Sequence, residues 1–476
     1  MRAPFGITTL LVLLFYLSGC STPKPVKPDL SVPESFTHQP AGGDAASLKG
    51  RWWEDFNDPS LNALIERALK NNHDILLATE RVLEERARVG IKSAELFPTI
   101  DLQIGMSRQK QTFLSPQSGG RASTLISTVS VTPVASYEVD LWGRISSAKR
   151  EELARLLTSV ENRRVALHTV VSDLITLYFQ YAGTLKKIDL AKSRIESSKK
   201  TLKVIENRYN RGIANYLDLI QARSLLSESK AKLPSLERQR EDLLEKLSLL
   251  VGAYPGSITI NQKVVDYVSA LKPVSPGLPS DLLLRRPDLR AKLSEADAAF
   301  NALRVSHAKR FPKISLTGSY GWLSDELRGL FEPSSLIWQL SVGVLSPLFD
   351  ANRLKLEEEA ALSRYRQSLI GYAKTVLQAF YEVETALMKE EFLRKERASL
   401  LDLLESTQRA YRASLNRYQR GLTDLLRVLE TERSLYQTRE HLVDTETALL
   451  LNRVFLYRAL GGGWTDDEKM EIKPDK

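Results

Sequence analysis

This 476-residue chain is written twice, and no other feature restricts its fold as much. Asn207-Arg208-Tyr209-Asn210-Arg211-Gly212 returns as Asn416-Arg417-Tyr418-Gln419-Arg420-Gly421, 209 positions on (421 − 212). Phe97-Pro98 returns as Phe311-Pro312, 214 positions on (311 − 97). A period of roughly 200 residues is far longer than that of solenoids and propellers, so each copy is a multi-element unit. Both copies read in the same order: amphipathic helix, Phe-Pro entry, two strand-like stretches, a very long helix, an Arg-Gly turn, a returning helix. The first copy covers residues 51–251 and the second 288–464. Residues 252–287 are rich in Pro and Gly and connect them.

The long helices follow from what the sequence lacks. Between Arg144 and Tyr209 there is no proline, and Gly183 is the only glycine. At about 1.5 Å per residue such a helix spans roughly 100 Å, enough for the wall of a tunnel. The stretch from Leu354 to Tyr418 is comparable, with Val376, Ala379, Phe380, Val383 and Leu387 at three-to-four spacing. Segments 61–96, 217–251, 288–310 and 425–460 are about half as long, so two stacked end to end match one long neighbour. Pro234 is expected to kink or interrupt its helix. An ordinary coiled coil shares this periodicity; the paired strands set the chain apart from it.

Those strands alternate. Ile100, Leu102, Ile104 and Met106 are interleaved with Asp101, Gln103, Gly105 and Ser107, and Val129, Val131, Ala135 and Tyr137 with Ser130, Thr132 and Ser136. In the second copy Ile314, Leu316, Tyr320 and Trp322 alternate with Ser315, Thr317 and Ser319. Leu336, Trp338, Leu340, Val342 and Val344 alternate with Gln339, Ser341 and Gly343. Period two puts the apolar set on one face. Stretches of about ten residues with aromatics near their ends are the pattern of transmembrane strands, apolar to lipid and polar to a lumen. A one-sided sheet on a soluble core reads the same way, but the helices here are too long to cover such short strands. Hairpins are expected at about 99–141 and 313–349. Four strands cannot close a barrel, which begins at about eight; three copies of the chain supply twelve.

The N-terminus carries an address. Arg2 and the apolar run from Ile7 to Leu17 form a secretory signal over residues 1–19, too short to span a bilayer as a helix. Leu17-Ser18-Gly19-Cys20 resembles the lipobox of bacterial lipoproteins, which implies that Cys20 becomes an acylated, palmitate-bearing N-terminus. Ser21, rather than an aspartate, implies sorting to the outer membrane. Pro23, Pro25, Pro28, Pro33 and Pro40 favour an extended tether over residues 20–50. Residues 465–476 read as a polar tail.

Other chemistries find no support. Cys20 is the only cysteine and the five histidines are scattered, so no metal site of the usual spacing, cofactor motif or nucleophile signature is present. The formal net charge of +9 is spread along helices among acids, as at Lys149, Arg150, Glu151 and Glu152, and not gathered into a nucleic-acid face. No enzymatic activity is expected.

Several pieces, in this order, resemble the TolC-like outer membrane factors, specifically the OprM-like (NodT-type) lipoprotein branch. They are Trp52-Trp53-Glu54-Asp55-Phe56-Asn57-Asp58-Pro59, Tyr137-Glu138-Val139-Asp140-Leu141-Trp142-Gly143-Arg144, Leu284-Arg285-Arg286-Pro287-Asp288-Leu289, Pro347-Leu348-Phe349-Asp350 and Ala459-Leu460-Gly461-Gly462-Gly463-Trp464. The resemblance implies a mainly α fold with a transmembrane β-barrel: a homotrimer sharing a twelve-stranded barrel, continued by a periplasmic α-helical barrel, with an equatorial region from the termini and the linker. It places 108–122 and 323–334 outside the cell. The turns at Arg211, Gly212, Arg420 and Gly421 fall at the periplasmic tip, where an adaptor docks.

For the gate, the resemblance implies that Glu430, nine positions after Gly421, rings the closed aperture. Asp218, six after Gly212, joins contacts that hold the tip shut. The arginine that pairs there in TolC is Thr423 in this chain, leaving Arg427 and Tyr418 as partners for Asp218. The implied function is a passive efflux channel for small molecules such as drugs, hence multidrug resistance, fed by a periplasmic adaptor (membrane fusion protein) and a resistance-nodulation-division pump in the inner membrane. The alternatives are a type I protein secretion channel and a structural envelope lipoprotein without a pore; the lipobox and the Gly-Gly-Gly-Trp ending favour small-molecule efflux.

Overall fold

A computed structural model describes residues 23–26, 32–38, 50–114, 121–260, 266–269, 271, 274, 276–277 and 279–462. The signal segment, Cys20 and the closing Gly463-Trp464 lie outside the described residues. Two compact units are present, and at 80/81, 160/161, 290/291 and 373/374 the chain passes between them within helices.

In the unit containing residues 81–160 and 291–373, alternation has become a four-stranded antiparallel sheet in the order β1 (Thr99–Leu114), β2 (Arg121–Val139), β3 (Lys313–Ser324), β4 (Leu336–Leu345). The register keeps like with like. Ile100 faces Ala135, Ile104 faces Val131, Val131 in turn faces Trp322, and Tyr320 faces Trp338. On the other face Gln103 meets Thr132, and the hydroxyls of Ser107 and Thr128 are 2.7 Å apart. A one-residue slip would exchange the two faces. Among the described residues much of the apolar face has no cover: Met106 is 84% exposed and Leu340 75%, while Val129 near its middle is buried. Within the chain β1 and β4 each have a neighbour on one side only.

The first hairpin runs further than the stretch expected outside the cell. Ladder pairs continue from Arg108↔Ser127 to Leu114↔Arg121, because a two-stranded ribbon satisfies its own backbone groups past the apolar band. At the opposite end, the Trp142 ring stacks on Phe311 at 4.9 Å and its Nε1 donates to Pro312 O at 2.8 Å, joining the two copies at the Phe-Pro entry. Aspartates then start the long helices. Asp140 accepts from the amides of Ile145 (2.9 Å) and Ser146 (2.8 Å), and Asp350 from that of Leu354 (3.0 Å).

The helices are α1 (Pro59–Asn71), α2 (His73–Ala94), α3 (Arg144–Asn210), α4 (Tyr216–Leu250), α5 (Pro279–Arg285), α6 (Pro287–Ala308), α7 (Arg353–Gln419) and α8 (Leu425–Ala459). Among the described residues none is long and apolar enough to cross a membrane. The segment 61–96, expected as one helix, breaks at Asn72. Its backbone is extended, its Oδ1 accepts from the Asp74 and Ile75 amides, and its Nδ2 donates to Leu250 O at 2.8 Å. Pro234, by contrast, does not interrupt α4; packing of the helix face outweighs one lost hydrogen bond.

The other unit comprises the described parts of 30–80, 161–290 and 374–476. Its core gathers Trp52, Trp53 and Phe56 with Leu174, Tyr178 and Phe179 of α3, Leu247 of α4 and Val454 of α8. Asp58 is the knot. It caps α1 through the Ser60 and Leu61 amides and accepts from the hydroxyls of Tyr178 and Tyr267, each at 2.5 Å. Burial and the Asp58 carboxylate raise the Tyr178 phenol far above its ordinary range. Arg286 is a second tie: it bonds Asp288, Glu382 at 2.8 Å and Ala459 O at 3.1 Å. Asp58→Ala removes a helix cap and the carboxylate that two buried tyrosine hydroxyls share, a loss of about 2–4 kcal/mol. Its thermal unfolding is expected well below the parent's, while Asp55→Ala, which leaves the cap intact, costs less.

Candidate functional site: the paired Arg-Gly turns

Where the duplication is most literal, the two copies make the same turn. Gly212 adopts φ +71° and Gly421 φ +73°, a left-handed conformation that glycine adopts without the Cβ clash. Gly212 N donates to Tyr209 O (2.8 Å) and Ile213 N to Arg208 O (2.9 Å). Gly421 N donates to Tyr418 O and Leu422 N to Arg417 O, both at 2.9 Å. This is the Schellman closure of a helix end. Three residues after each glycine the next helix starts, at Asn215 and at Asp424. Arg211, Gly212, Arg420 and Gly421 are all exposed. So are the apolar side chains around them: Ile213, Tyr216, Leu217, Leu422 and Leu426.

Asp218 has work within its own chain. Its amide donates to Asn215 Oδ1 at 2.7 Å, and its Oδ2 accepts from the Asn215 amide at 3.4 Å, closing a capping box at the start of α4. The spacing Asn215-x-x-Asp218 carried that signal. In the second copy the equivalent position is Arg427, whose amide donates to Asp424 Oδ1 at 3.0 Å without a reciprocal bond being possible from a cationic side chain. Arg427 instead meets Glu430 one turn on, Nη1 to Oε2 3.1 Å, with both side chains more than half exposed. Exposed pairs of this kind contribute little, so within one chain Glu430 is lightly held.

Tyr418 is buried, and the residue that holds it is Arg208 of the other copy. The guanidinium sits 4.9 Å from the ring centroid, and Nη1 reaches Tyr418 O at 3.4 Å and Gln419 O at 3.3 Å, the open carbonyl end of α7. A cation there is favoured by the helix dipole. Burial raises the Tyr418 phenol, Arg208 pulls it back, and the Asp218 charge raises it again. Ile205, Leu219, Ala222, Leu425 and Val428 fill the space beneath. The structure thus brings Asp218 into the neighbourhood of Tyr418, keeps Arg427 on Glu430, and adds Arg208. The sequence marked Arg208 only as a repeated motif letter.

The sequence pattern of the family described as outer membrane efflux protein matches residues 64–253 and 278–462. The chain is similar to the pyoverdine export outer membrane protein OpmQ of Pseudomonas aeruginosa, 32% identical over 471 residues that cover 98% of this chain and 99% of that protein. It is similar to the outer membrane protein OprJ of the same species, 30% identical over 476 residues, 99% of each chain. Among solved structures, the open state of the Neisseria gonorrhoeae MtrE outer membrane channel superposes with a TM-score of 0.82 at 28% identity, covering 93% of this chain and 98% of that one. A sheet with a lipid-type face, tunnel-length helices and an internal duplication converge with these likenesses: the chain belongs to the outer membrane efflux protein family, as an outer-membrane channel with a periplasmic helical portion and not an enzyme.

Proposed function

We propose that the chain works as a homotrimer, closing a twelve-stranded barrel through which small molecules leave passively. It is supplied by a periplasmic adaptor and a resistance-nodulation-division pump in the inner membrane. The observation that carries this reading is the pair of strand edges at β1 and β4, each open on one side of a sheet whose apolar face is uncovered. In hydrocarbon every unpaired backbone group costs several kcal/mol, so the edges call for strands from other copies. Reconstituted in planar bilayers, the purified protein should form conducting pores; a protein that inserts without conductance overturns the reading.

In this scheme residues 1–19 direct export and Cys20 carries the lipid, with 20–50 as tether. The copies at 51–251 and 288–464 each supply one hairpin, one long helix and one tip turn, 252–287 forms the equatorial connection, and 465–476 is a tail. The turns at Arg211-Gly212 and Arg420-Gly421 receive the adaptor, which their exposed apolar rims favour. Three Glu430 carboxylates ring the aperture, and Asp218, Tyr418 and Arg427 belong to the contacts that keep it shut. The relatives named for pyoverdine export and for solvent or toluene efflux support small molecules, not folded proteins, as the cargo class. Cys20→Ser is expected to lose the palmitate label and the shift in migration on processing, while the barrel still inserts; an unchanged label overturns the anchor.

A further inference from the structure

Above the turns, the interface between the two helix pairs holds a carboxylic acid that neither the duct nor the turns use. Glu432 of α8 is fully buried. Ser197 of α3 donates to its Oε1 at 2.9 Å, and the Tyr411 hydroxyl of α7 lies 3.3 Å from the same serine. Among the described residues Oε2 has no hydrogen-bond partner. Burial pushes the carboxyl up from its ordinary 4.5, against the pull of the Ser197 hydrogen bond and the Arg194 charge.

Arg194 of α3 is the natural answer to that empty oxygen, yet it is engaged elsewhere. Its Nη2 lies 3.2 Å from Glu228 of α4, its guanidinium is 5.8 Å from the centroid of the Tyr436 ring on α8, and its Nε is buried without a partner. Tyr436 is one turn from Glu432, and Arg439 also lies by its ring, 5.4 Å from the centroid. The groups facing Glu432 are therefore Arg194 from α3, Tyr411 from α7 and Tyr436 from α8, with Glu228 of α4 and Arg439 of α8 behind them. An acid with an idle oxygen lies one helical turn from the ring beside which a guanidinium with an idle nitrogen sits, and the Arg194 charge acts on Glu432.

We propose that Glu432 and Arg194 form a proton-operated latch: when Glu432 releases its proton to water, Arg194 leaves Glu228 and pairs with Glu432. A tie within the first helix pair (α3 to α4) is thereby exchanged for a tie between the pairs (α3 to α8). The sign follows from the raised carboxyl. With Glu432 protonated the tie of Arg194 to Glu228 holds, and it gives way as pH rises through the raised value. Below that value the pairs are free to part; above it they are bound together. The effect on conductance rests on the tip being the constriction, whereas the proton exchange itself does not.

The test uses the full-length protein, its Glu432→Gln and Glu228→Gln variants, and two readouts between about pH 5 and about pH 8. Infrared spectra should show a buried protonated-carboxyl band that Glu432→Gln lacks and that fades as pH rises. Glu228→Gln, by freeing Arg194, should move that midpoint down by about one pH unit or more. Conductance in bilayers should fall across the same range in the parent and stay at its acid level in Glu432→Gln. The latch is overturned if Glu432→Gln removes no band, or if Glu228→Gln leaves the midpoint where it was. An infrared midpoint that shifts while conductance stays flat upholds the exchange and sinks the tip as constriction.

Discussion

Asp218→Ala raises single-channel conductance, and Asn215→Ala raises it too. The two side chains cap one another at the start of α4, directly after the exposed Gly212 turn. Losing either releases the first turn of that helix, at a cost of about 1 kcal/mol. That shifts a closed-to-open balance about fivefold per chain, and in the proposed trimer three chains around one aperture would act together. Arg208→Ala works in the same direction from the other copy, since it uncovers the carbonyl end of α7 and the face of Tyr418. Glu430→Ala is separable from all three. In the proposed trimer three Glu430 carboxylates would surround one axis and attract cations, so their removal is expected to weaken cation preference and divalent-ion block more than it changes conductance. The pairing of variants is informative: if Asp218→Ala opens the channel and Asn215→Ala does not, Asp218 acts on a neighbouring chain and not through its capping box. If Asp218→Ala and Glu430→Ala leave conductance, selectivity and divalent block unchanged, both acids are ordinary surface residues and the constriction lies elsewhere.

Gly321→Val abolishes assembled protein in the outer membrane. A Cβ at this position would lie 2.3 Å from Val131 O and 2.7 Å from Thr132 Cα, both backbone atoms that a rotamer change cannot move. The site is the seam between β2 and β3, where the two copies of the duplication meet. Ladder pairing there lapses between Val131↔Trp322 and Val134↔Ser319, beside Pro133, which has no amide to donate. A displaced β3 leaves further groups unpaired in lipid, at several kcal/mol each. The heat-resistant oligomer in outer-membrane fractions is the readout. Gly318→Ala is the control: its Cβ would meet only Leu340 Cδ1 at 3.8 Å, an ordinary contact, and assembly should survive.

Much of this architecture was legible before any coordinates. The repeated Asn-Arg-Tyr motif located both turns, because only a helix-ending glycine needs that neighbourhood, and period-two alternation located four strands. The absence of proline from Arg144 to Tyr209 foretold α3. What escaped depends on contacts between segments distant in sequence. Asn72 breaks a helix because Leu250 offers it a carbonyl 178 residues away. Arg208 and its repeat partner Arg417 share a motif, yet Arg208 reaches across to Tyr418 and Gln419 in the opposite copy. Glu432 sits two residues from Glu430 and looks the same in the sequence; one is fully buried and the other exposed, because only one points at Ser197. Pro234 does not interrupt its helix for a related reason, since a 35-residue helix with one buried stripe tolerates a single missing donor.

The mass of the purified protein in detergent tests the central claim most directly, because the two open edges at β1 and β4 leave the sheet incomplete in one chain. Native mass spectrometry is expected to give a species of three chains that persists on dilution, with no populated monomer. A stable monomer, or a closed assembly whose strand count does not come from three chains, contradicts the shared barrel and with it the path proposed for the exported molecules.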